Sequence, residues 1–310
     1  MKTLLIAVLA VLTRLSGFAA DGIWTSLSDG NWSDSSKWLN GVIANGDDSS
    51  AVMQSGVKVT PNQDVSLHEF IVKAPIFSLN SSSGNVFTMK NNPLIKVDPF
   101  PSRGLGITLN QLITGDGSVL TIKGGNINLE SLSGITNFSR VDVMGVATLS
   151  PRYSRPVTDG DLRVSDSRIN NNSQQATGYL VAGGKLIVGP GQNVFRTGYT
   201  EEMMLPAVIE REAQGTLQFT LPSGIHMFLA DASALTNAEG RLPTWMFYDN
   251  YGSYRFCTHT TNEGFSAFSI TKADLATATD ADTVRVTNAV TLAADTAVGA
   301  LQVSSTLSFP

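Results

Sequence analysis

Residues 117–129 read GSVLTIKGGNINL, and this stretch decides the fold. Apolar and polar residues alternate over Leu120–Ile122 and again over Ile127–Leu129, as expected for two short strands that each bury one face. Between them lies Gly124-Gly125, a corner whose backbone angles favour glycine. The stretch therefore predicts a strand, a tight corner and a second strand.

Two further segments have the same form, residues 178–188 (GYLVAGGKLIV) and residues 215–228 (GTLQFTLPSGIHMF). A recurring strand–corner–strand unit is typical of a solenoid, because one rung cannot bury its own apolar face and needs a neighbour above and below. The spacing between the units is not constant. An antiparallel β-sandwich therefore remains the alternative fold.

The rest of the chain also favours an all-β fold. Period-2 alternation recurs along most of it, and charged residues make up only 15% of the sequence, against about 25% in an average protein. Helical periodicity is confined to Met203–Ala213 and Lys272–Ala278, where we expect a few turns each. Neither segment has the length of a framework element.

The N-terminus has the features of a secretory signal peptide. Lys2 supplies a positive charge, Leu4–Leu12 is apolar, and Gly17-Phe18-Ala19 offers small residues for cleavage after Ala19 or Ala20. We assign residues 1–19 to the signal and residues 20–310 to the exported region. The apolar run is too short to span a bilayer, and no later segment reaches the roughly 18 apolar residues of a membrane helix.

The charge of the chain argues against a nucleic-acid partner. The net charge is −5, and the 21 basic residues are scattered along the sequence. A nucleic-acid-binding surface needs a clustered basic patch. We therefore expect no nucleic-acid partner and no membrane span in the mature chain.

A tryptophan bracket, DGNWSDSSKW at residues 29–38, follows the signal directly. Its Trp32 and Trp38 could stack on sugar rings at the surface or cap the open end of a solenoid. We expect a cap, because the strand pattern of Asp48–Val72 recurs at Asp282–Val303 without a second pair of tryptophans.

The bracket resembles the opening of bacterial autotransporter-associated β-strand repeat proteins, in which a G-N-W…N-W-x-x-G bracket follows a signal peptide. Residues 240–247 (GRLPTWMF), the later NEGFSAF at 262–268 and the DTVRV at 282–286 are similar to a second stretch of that family. This sequence departs from the pattern by Lys37 before Trp38, by Thr244 inserted before Trp245, and by a phenylalanine in place of isoleucine in the NEGFSAF stretch.

The resemblance implies a right-handed parallel β-helix that serves as a secreted or surface-exposed passenger region. The strand pattern that restarts at Asp282 ends almost as soon as it is complete. We therefore expect the natural polypeptide to continue beyond Pro310. The mode of surface anchoring is left open.

The sequence contains no catalytic or cofactor-binding motif. Cys257, the only cysteine, is expected to be a small buried side chain. The three histidines are too far apart for a local metal signature. There are five carboxylate pairs: Asp47/Asp48, Asp159/Asp161, Glu201/Glu202, Glu210/Glu212 and Asp280/Asp282. All but Glu210/Glu212 lie among Gly, Asn, Thr or Ser, and these four are interpreted as turn and cap residues.

A glycan-acting enzyme is the alternative, since a β-helix can hold charged residues on one face across several rungs. Arg152, Arg155, Asp159 and Asp161 form the densest local group of charges that such a site could use. Nothing in the sequence aligns them, and we predict that the protein is not an enzyme.

The aromatic residues after the last strand–corner–strand unit are the candidate binding residues. Trp245, Tyr248, Tyr251 and Tyr254 could stack on extracellular glycans if exposed, and could cap the solenoid if buried. The sequence therefore predicts a secreted or cell-surface structural and adhesive β-helix protein of bacterial type, with no metal and no cofactor. A glycan-binding module or a polysaccharide-degrading β-helix enzyme is the alternative.

Overall fold

A computed structural model describes residues 19–81, 84–98, 106–130, 134–146, 148–151, 156–171, 178–179, 183–197, 203–220, 227–229, 231, 233, 235–236, 242–250, 253–260, 264–267, 278, 283–286, 290–291, 300–303 and 307–308.

These residues form thirty strands and two short 3-10 helices, at Ser35–Lys37 and Leu39–Gly41. The first fifteen strands are β1 (Gly22–Trp24), β2 (Gly30–Asn31), β3 (Ser50–Met53), β4 (Lys58–Thr60), β5 (Val65–Val72), β6 (Phe77–Asn80), β7 (Phe87–Val97), β8 (Ile107–Asn110), β9 (Leu112–Thr114), β10 (Val119–Lys123), β11 (Asn126–Leu129), β12 (Gly134–Thr136), β13 (Arg140–Met144), β14 (Thr148–Pro151) and β15 (Asp161–Ser165). The other fifteen are β16 (Arg168–Asn171), β17 (Gly178–Tyr179), β18 (Leu186–Val188), β19 (Gly191–Thr197), β20 (Met203–Leu205), β21 (Ile209–Arg211), β22 (Gly215–Thr220), β23 (Met227–Leu229), β24 (Met246–Asn250), β25 (Ser253–Thr260), β26 (Gly264–Ala267), β27 (Thr283–Val286), β28 (Val290–Thr291), β29 (Ala300–Val303) and β30 (Leu307–Ser308).

The strands form sheets in which most neighbouring strands are not consecutive in the chain. The first sheet follows the order β1-β3-β5-β7-β10-β13-β15-β18-β21, with β9 beside β7 and β12 beside β9. The second sheet follows the order β2-β4-β6-β8-β11-β14-β16-β19-β22-β24-β25-β26, and β17-β20-β23 form a third sheet. From β1 to β8 the chain alternates between the first two sheets, and most strands pair with a counterpart in the next rung.

The pairing in these sheets is parallel from β1 to β24, so the chain is a parallel β-solenoid. This confirms the predicted solenoid and excludes the antiparallel sandwich. The right-handed sense stays a prediction, in line with the strong right-handed preference of parallel crossover connections.

The register explains why the sequence repeats are irregular. Ala51 pairs with Phe70, 19 residues later, whereas Leu79 pairs with Leu109, 30 residues later. The strands stay aligned while the connections between them change in length. A search for a constant period therefore fails on this chain although its rungs are regular.

Residues 117–129 form the predicted strand–corner–strand unit, with β10 in the first sheet and β11 in the second. Gly124 and Gly125 have φ angles of 78° and 60°. A Cβ atom at Gly124 would lie 2.3 Å from the Val97 carbonyl oxygen of the rung below. The corner therefore needs glycine both for its backbone angles and for the close approach of the next rung.

The corner at Gly183-Gly184 needs glycine for a different reason from the one predicted. Neither residue has a positive φ angle. A Cβ atom at Gly184 would instead lie 2.4 Å from the carbonyl oxygen of Gly160 in the neighbouring rung. Close stacking of two rungs, and not backbone strain, excludes a side chain there.

The core consists of inward-facing apolar side chains that stack in register. Ile122, Val143, Val164 and Val188 pair in sequence across four rungs, and each is 0% exposed. Full burial of one such side chain is worth about 1.5–3 kcal/mol. The predicted helical turns at Met203–Ala213 are wrong, because this segment contains β20 and β21, which each add a strand to a rung.

The tryptophan bracket caps the N-terminal end of the solenoid, as predicted. Isolated antiparallel bridges join Ala20 to Asn45 and Trp24 to Trp38, so the segment after the bracket covers the outer edge of β1. Trp32 is fully buried, and its indole N–H donates to the Ala44 carbonyl oxygen at 2.9 Å. An edge strand covered in this way cannot template pairing with another chain.

An antiparallel unit follows the parallel stack at its other end. Strand β24 pairs with β25, and β25 with β26, both antiparallel. The ring of Phe265 in β26 stacks on Phe219 in β22 with centroids 4.1 Å apart, and Cys257 is fully buried. This segment covers apolar side chains of the last rungs.

The last strands form two separate parallel pairs. Thr283 pairs with Ala300 in β27 and β29, and Val290 pairs with Leu307 in β28 and β30. The strand pattern predicted from Asp282 onward is therefore present as paired strands. Continuation of the chain beyond Pro310 stays a prediction.

Candidate functional site

Three of the four predicted aromatic residues lie in or beside the antiparallel unit. Trp245 and Tyr248 are half-buried and pack against the core, and the guanidinium carbon of Arg211 lies 5.6 Å from the Trp245 ring centre. Tyr251 lies outside the described residues. Tyr254 pairs with Asp249 across β24 and β25, and its side chain is likewise outside the described part. Glycan binding by these four residues stays a prediction.

A polar surface with a hollow lies on the outer face of the second sheet, where strands β16, β19, β22 and β24 stand side by side. The alternation of β22 places Leu217 and Phe219 inside the solenoid and directs Gln218 and Thr220 to the outer face, where neighbouring side chains leave Gln218 only 7% exposed. Gln218 pairs with Val194 of β19 on one side and with Phe247 of β24 on the other. The same alternation therefore aligns outward-facing side chains from successive rungs.

We call this hollow the polar trough. Its narrower part has a volume of about 280 Å³, and its wider part has a volume of about 350 Å³. The described residues that line the two parts are Arg168, Gln192, Val194, Arg196, Thr216, Gln218, Thr220, Phe247 and Asp249.

A hydrogen-bonded row crosses the polar trough from rung to rung. The side chain of Gln192 donates to the amide oxygen of Gln218. The Gln218 amide nitrogen donates to the Asp249 carboxylate at 3.0 Å and to the Thr220 hydroxyl at 3.4 Å. These bonds hold the amide groups in fixed orientations before any ligand arrives, which lowers the entropic cost of binding.

The two parts of the trough differ in chemistry. Phe247 lines the narrower part as a half-exposed ring, whose centre lies 6.3 Å from that of Phe256. Arg168 and Arg196 line the wider part as exposed cations, together with Asp249. An aromatic face, oriented amides and charged hydrogen-bonding groups are the side chains that recognise a polar ring-shaped ligand.

Of these residues, only Phe247 belongs to a stretch that the sequence singled out, GRLPTWMF at residues 240–247. Gln192 and Gln218 are 26 residues apart, and Gln218 and Asp249 are 31 residues apart. The outward positions of each strand are visible in its alternation. Their alignment across rungs depends on connections of unequal length and becomes visible only in the structure.

Several aspartates hold neighbouring rungs together, as their position in turns suggested. Carboxylate oxygens of Asp21 and Asp64 accept the backbone N–H groups of Ser50 and Val86 at 2.7 Å and 2.9 Å. The predicted turn residue Asp161 accepts the N–H of Lys185 in the same way, at 3.0 Å. These aspartates satisfy backbone donors of the next rung.

The other paired carboxylates differ in their contacts. Asp48 and Asp159 accept hydrogen bonds from Asn91 and Asn137, as expected of turn residues. Glu210 and Glu212, the pair without such turn-forming neighbours in the sequence, form ion pairs with Lys185 and Arg163. The carboxylates Glu201, Glu202, Asp280 and Asp282 lie outside the described residues. Arg152 and Arg155 of the predicted charge group lie outside them as well.

Two ion pairs shift the pKa values of their carboxyl groups. The Ser66 hydroxyl and then the Lys90 ammonium, 3.0 Å away, lower the pKa of Asp47. The Arg163 guanidinium lowers the pKa of Glu212 through two hydrogen bonds of 2.9 Å and 2.6 Å. Both shifts favour the ionised carboxylate, and both groups serve surface ion pairs.

The single cysteine behaves as predicted. Cys257 is fully buried, and burial raises the pKa of its thiol well above the usual range. Burial also lowers the pKa of the nearby His259, whose ring packs edge-on against Phe265 with centroids 5.2 Å apart. The described residues contain no cluster of three or more metal-ligating side chains.

Within the described part of the chain, no helix has the length and apolar character that crossing a bilayer requires. No family model, no curated protein and no solved structure matches this chain. The resemblance to autotransporter-associated repeat proteins therefore stays a prediction.

Proposed function

We propose that this chain is an extracellular structural and adhesive protein that contacts glycans through the polar trough and has no catalytic role. The single observation that carries this proposal is the row of oriented polar groups beside the Phe247 ring on the outer face of the second sheet. Aromatic stacking and planar hydrogen-bonding groups are the usual means of holding a sugar ring.

The shape of the trough supports binding of an extended ligand. Neighbouring strands of a sheet lie about 4.8 Å apart, so the four strands that line the trough span roughly 14 Å. A trough of this length, open on the outer face, suits several consecutive units of a chain better than one small molecule. A solenoid surface of this kind offers many weak contacts, as adhesion requires.

The lining supports binding more directly than cleavage. Glycoside hydrolysis commonly uses two carboxyl groups on either side of the bond that breaks. Among the described lining residues Asp249 is the one carboxylate, and it already accepts a hydrogen bond from Gln218. We therefore propose a binding role and keep hydrolysis as the alternative.

Export rests on the N-terminal signal features and on the family resemblance. The proposed cleavage after Ala19 or Ala20 would leave Asp21 in the mature chain, where its carboxylate accepts the Ser50 N–H. Expression of the full chain in a secreting bacterial host, followed by N-terminal sequencing, tests this step. A product that starts at Met1 and stays inside the cell would contradict it.

Glycan binding is tested on the full chain with an array of bacterial and plant glycans, followed by titration calorimetry. We expect Phe247→Ala to weaken binding about tenfold, because the ring supplies the stacking surface. Leu27→Ala, a change at a 90% exposed residue at the opposite end, is the control and should bind normally. Unchanged affinity in a folded Phe247→Ala protein would contradict the proposed site.

A further inference from the structure

We infer that the polar trough selects an acidic polysaccharide, with the sugar carboxylates held by Arg168 and Arg196. This inference rests on the proposed glycan-binding function and names the substrate class of the same site.

The two arginines stand out because the chain as a whole is acidic. Its net charge is −5, yet the wider part of the trough presents two exposed guanidinium groups from adjacent strands. Arg168 pairs with Val194, and Arg196 lies two residues beyond Val194 on the same strand face. The two cations are therefore diagonal neighbours on one surface.

Neither guanidinium is engaged in an ion pair within the described part of the chain. On the first sheet, by contrast, Arg163 binds Glu212 through two hydrogen bonds, and Arg140 binds Asp142 in the same bidentate way. Arg163 and Arg140 thus have carboxylate partners in the protein. Arg168 and Arg196 are exposed and have no ion-pair partner among the described residues, which leaves both guanidinium groups available to an external anion.

A sugar carboxylate fits this arrangement better than a densely charged polymer does. A guanidinium binds a carboxylate through two parallel hydrogen bonds. Asp249 lines the same part of the trough, and its carboxylate would repel an anion but accept a hydrogen bond from a hydroxyl group. Two cations beside one anion and two amides suit a ligand that carries both carboxylates and free hydroxyls, such as a uronic acid chain.

The spacing favours a chain over a single sugar. Phe247 lies on the strand three places from that of Arg168, which is roughly 14 Å at the usual strand separation. A chain running across the strands can stack one residue on Phe247 while a more distant residue presents its carboxylate to the arginines. A lone uronic acid could reach only one of these groups.

The test compares two forms of one polymer, oligogalacturonate and its fully methyl-esterified form, by titration calorimetry on the full chain at about 0.15 M salt, where surface charge effects are partly screened. We expect the acid form to bind at least tenfold more tightly than the ester. The double variant Arg168→Gln/Arg196→Gln should lose this preference, because binding of the acid form weakens at least tenfold relative to the ester. The matched control Lys73→Gln/Lys123→Gln removes two exposed charges elsewhere and should keep the preference.

Each other result overturns the inference in a distinguishable way. Equal affinity for the acid and ester forms leaves the proposed glycan binding intact and refutes selection by charge. Polyglutamate that competes as well as the acid polymer would show a general cationic surface and refute carbohydrate recognition by the arginines. Absence of binding to both polymers, and to every neutral glycan of the array, would refute the proposed function together with the inference.

Discussion

Two buried tryptophans in the N-terminal cap differ in one hydrogen bond, and this difference predicts a difference in stability. Trp24 and Trp32 are both 0% exposed. The indole N–H of Trp32 donates to the Ala44 carbonyl oxygen at 2.9 Å, whereas the indole N–H of Trp24 has no partner in the described residues. Trp32→Phe therefore removes one hydrogen bond, whereas Trp24→Phe removes none.

The loss of stability depends on the Ala44 carbonyl oxygen, which is left without a hydrogen-bond donor. Trp32→Phe keeps an aromatic ring near Trp38 and Phe87, whose centroids lie 5.0 Å and 5.7 Å from that of the indole, but leaves the Ala44 carbonyl without its donor. An unsatisfied buried polar group costs about 1–3 kcal/mol. Trp24→Phe removes a buried donor that is already unpaired, so its cost is limited to lost packing. We expect Trp32→Phe to lower the free energy of unfolding by about 1–3 kcal/mol more than Trp24→Phe.

Urea unfolding followed by far-ultraviolet circular dichroism measures this difference without depending on tryptophan fluorescence. With a urea m-value of about 3 kcal/mol/M, the two midpoints should differ by roughly 0.5 M. Leu27→Ala, at a 90% exposed position in the same segment, is the control and should leave the midpoint unchanged. An equal or larger loss in Trp24→Phe would refute the assignment of the hydrogen bonds in the cap.

Three further predictions concern the polar groups that hold the rungs together. Asp64→Ala should lower the free energy of unfolding by about 1 kcal/mol, because the Val86 N–H loses its acceptor, and Asp64→Asn should restore most of it; equal losses in the two urea midpoints would contradict this role. A double-mutant cycle of Arg163→Ala and Glu212→Ala should give a coupling energy of about 0.5–1 kcal/mol, reduced by solvent screening of the part-exposed carboxylate, and a cycle with no coupling would refute the pair. The pKa of Asp47 is lowered in the folded protein, so the stabilising contribution of this carboxylate is present above the unfolded-state pKa of about 3.9 and is lost as the pH falls through the folded pKa. The urea midpoint of Asp47→Asn should therefore fall less in acid than that of the unchanged protein. An identical fall would count against the prediction.

The strands and the caps are the features that sequence reasoning predicts well. Alternation in GSVLTIKGGNINL places Ile122 and Ile127 inside, and both are fully buried. Side-chain direction in a strand alternates with a period of two, so the buried face can be identified from a few neighbouring residues. The cap at Trp32 and Trp38 is equally local, because aromatic residues, turn residues and the first strand lie within one short segment.

The features that the sequence did not predict depend on contacts between rungs. Gly184 is required by the Gly160 carbonyl of another rung, and Glu212 binds Arg163, 49 residues earlier in the chain. The Met203–Ala213 segment is β-structure because its neighbours in the stack offer strand edges to pair with, and this outweighs a weak helical pattern. None of these partners is near in sequence.

Local patterns along the chain are sufficient to predict an all-β protein, the inward-facing residues of its strands, a glycine corner that turns the chain, and a tryptophan cluster that closes one end. All of these depend on interactions within a few residues. The tertiary structure alone decided the register between rungs, and with it the polar trough that brings Arg168, Gln218 and Phe247 to one face. The physical reason is that connections between strands vary in length while backbone pairing keeps the strands aligned, so residues that act together are separated by unequal distances along the chain.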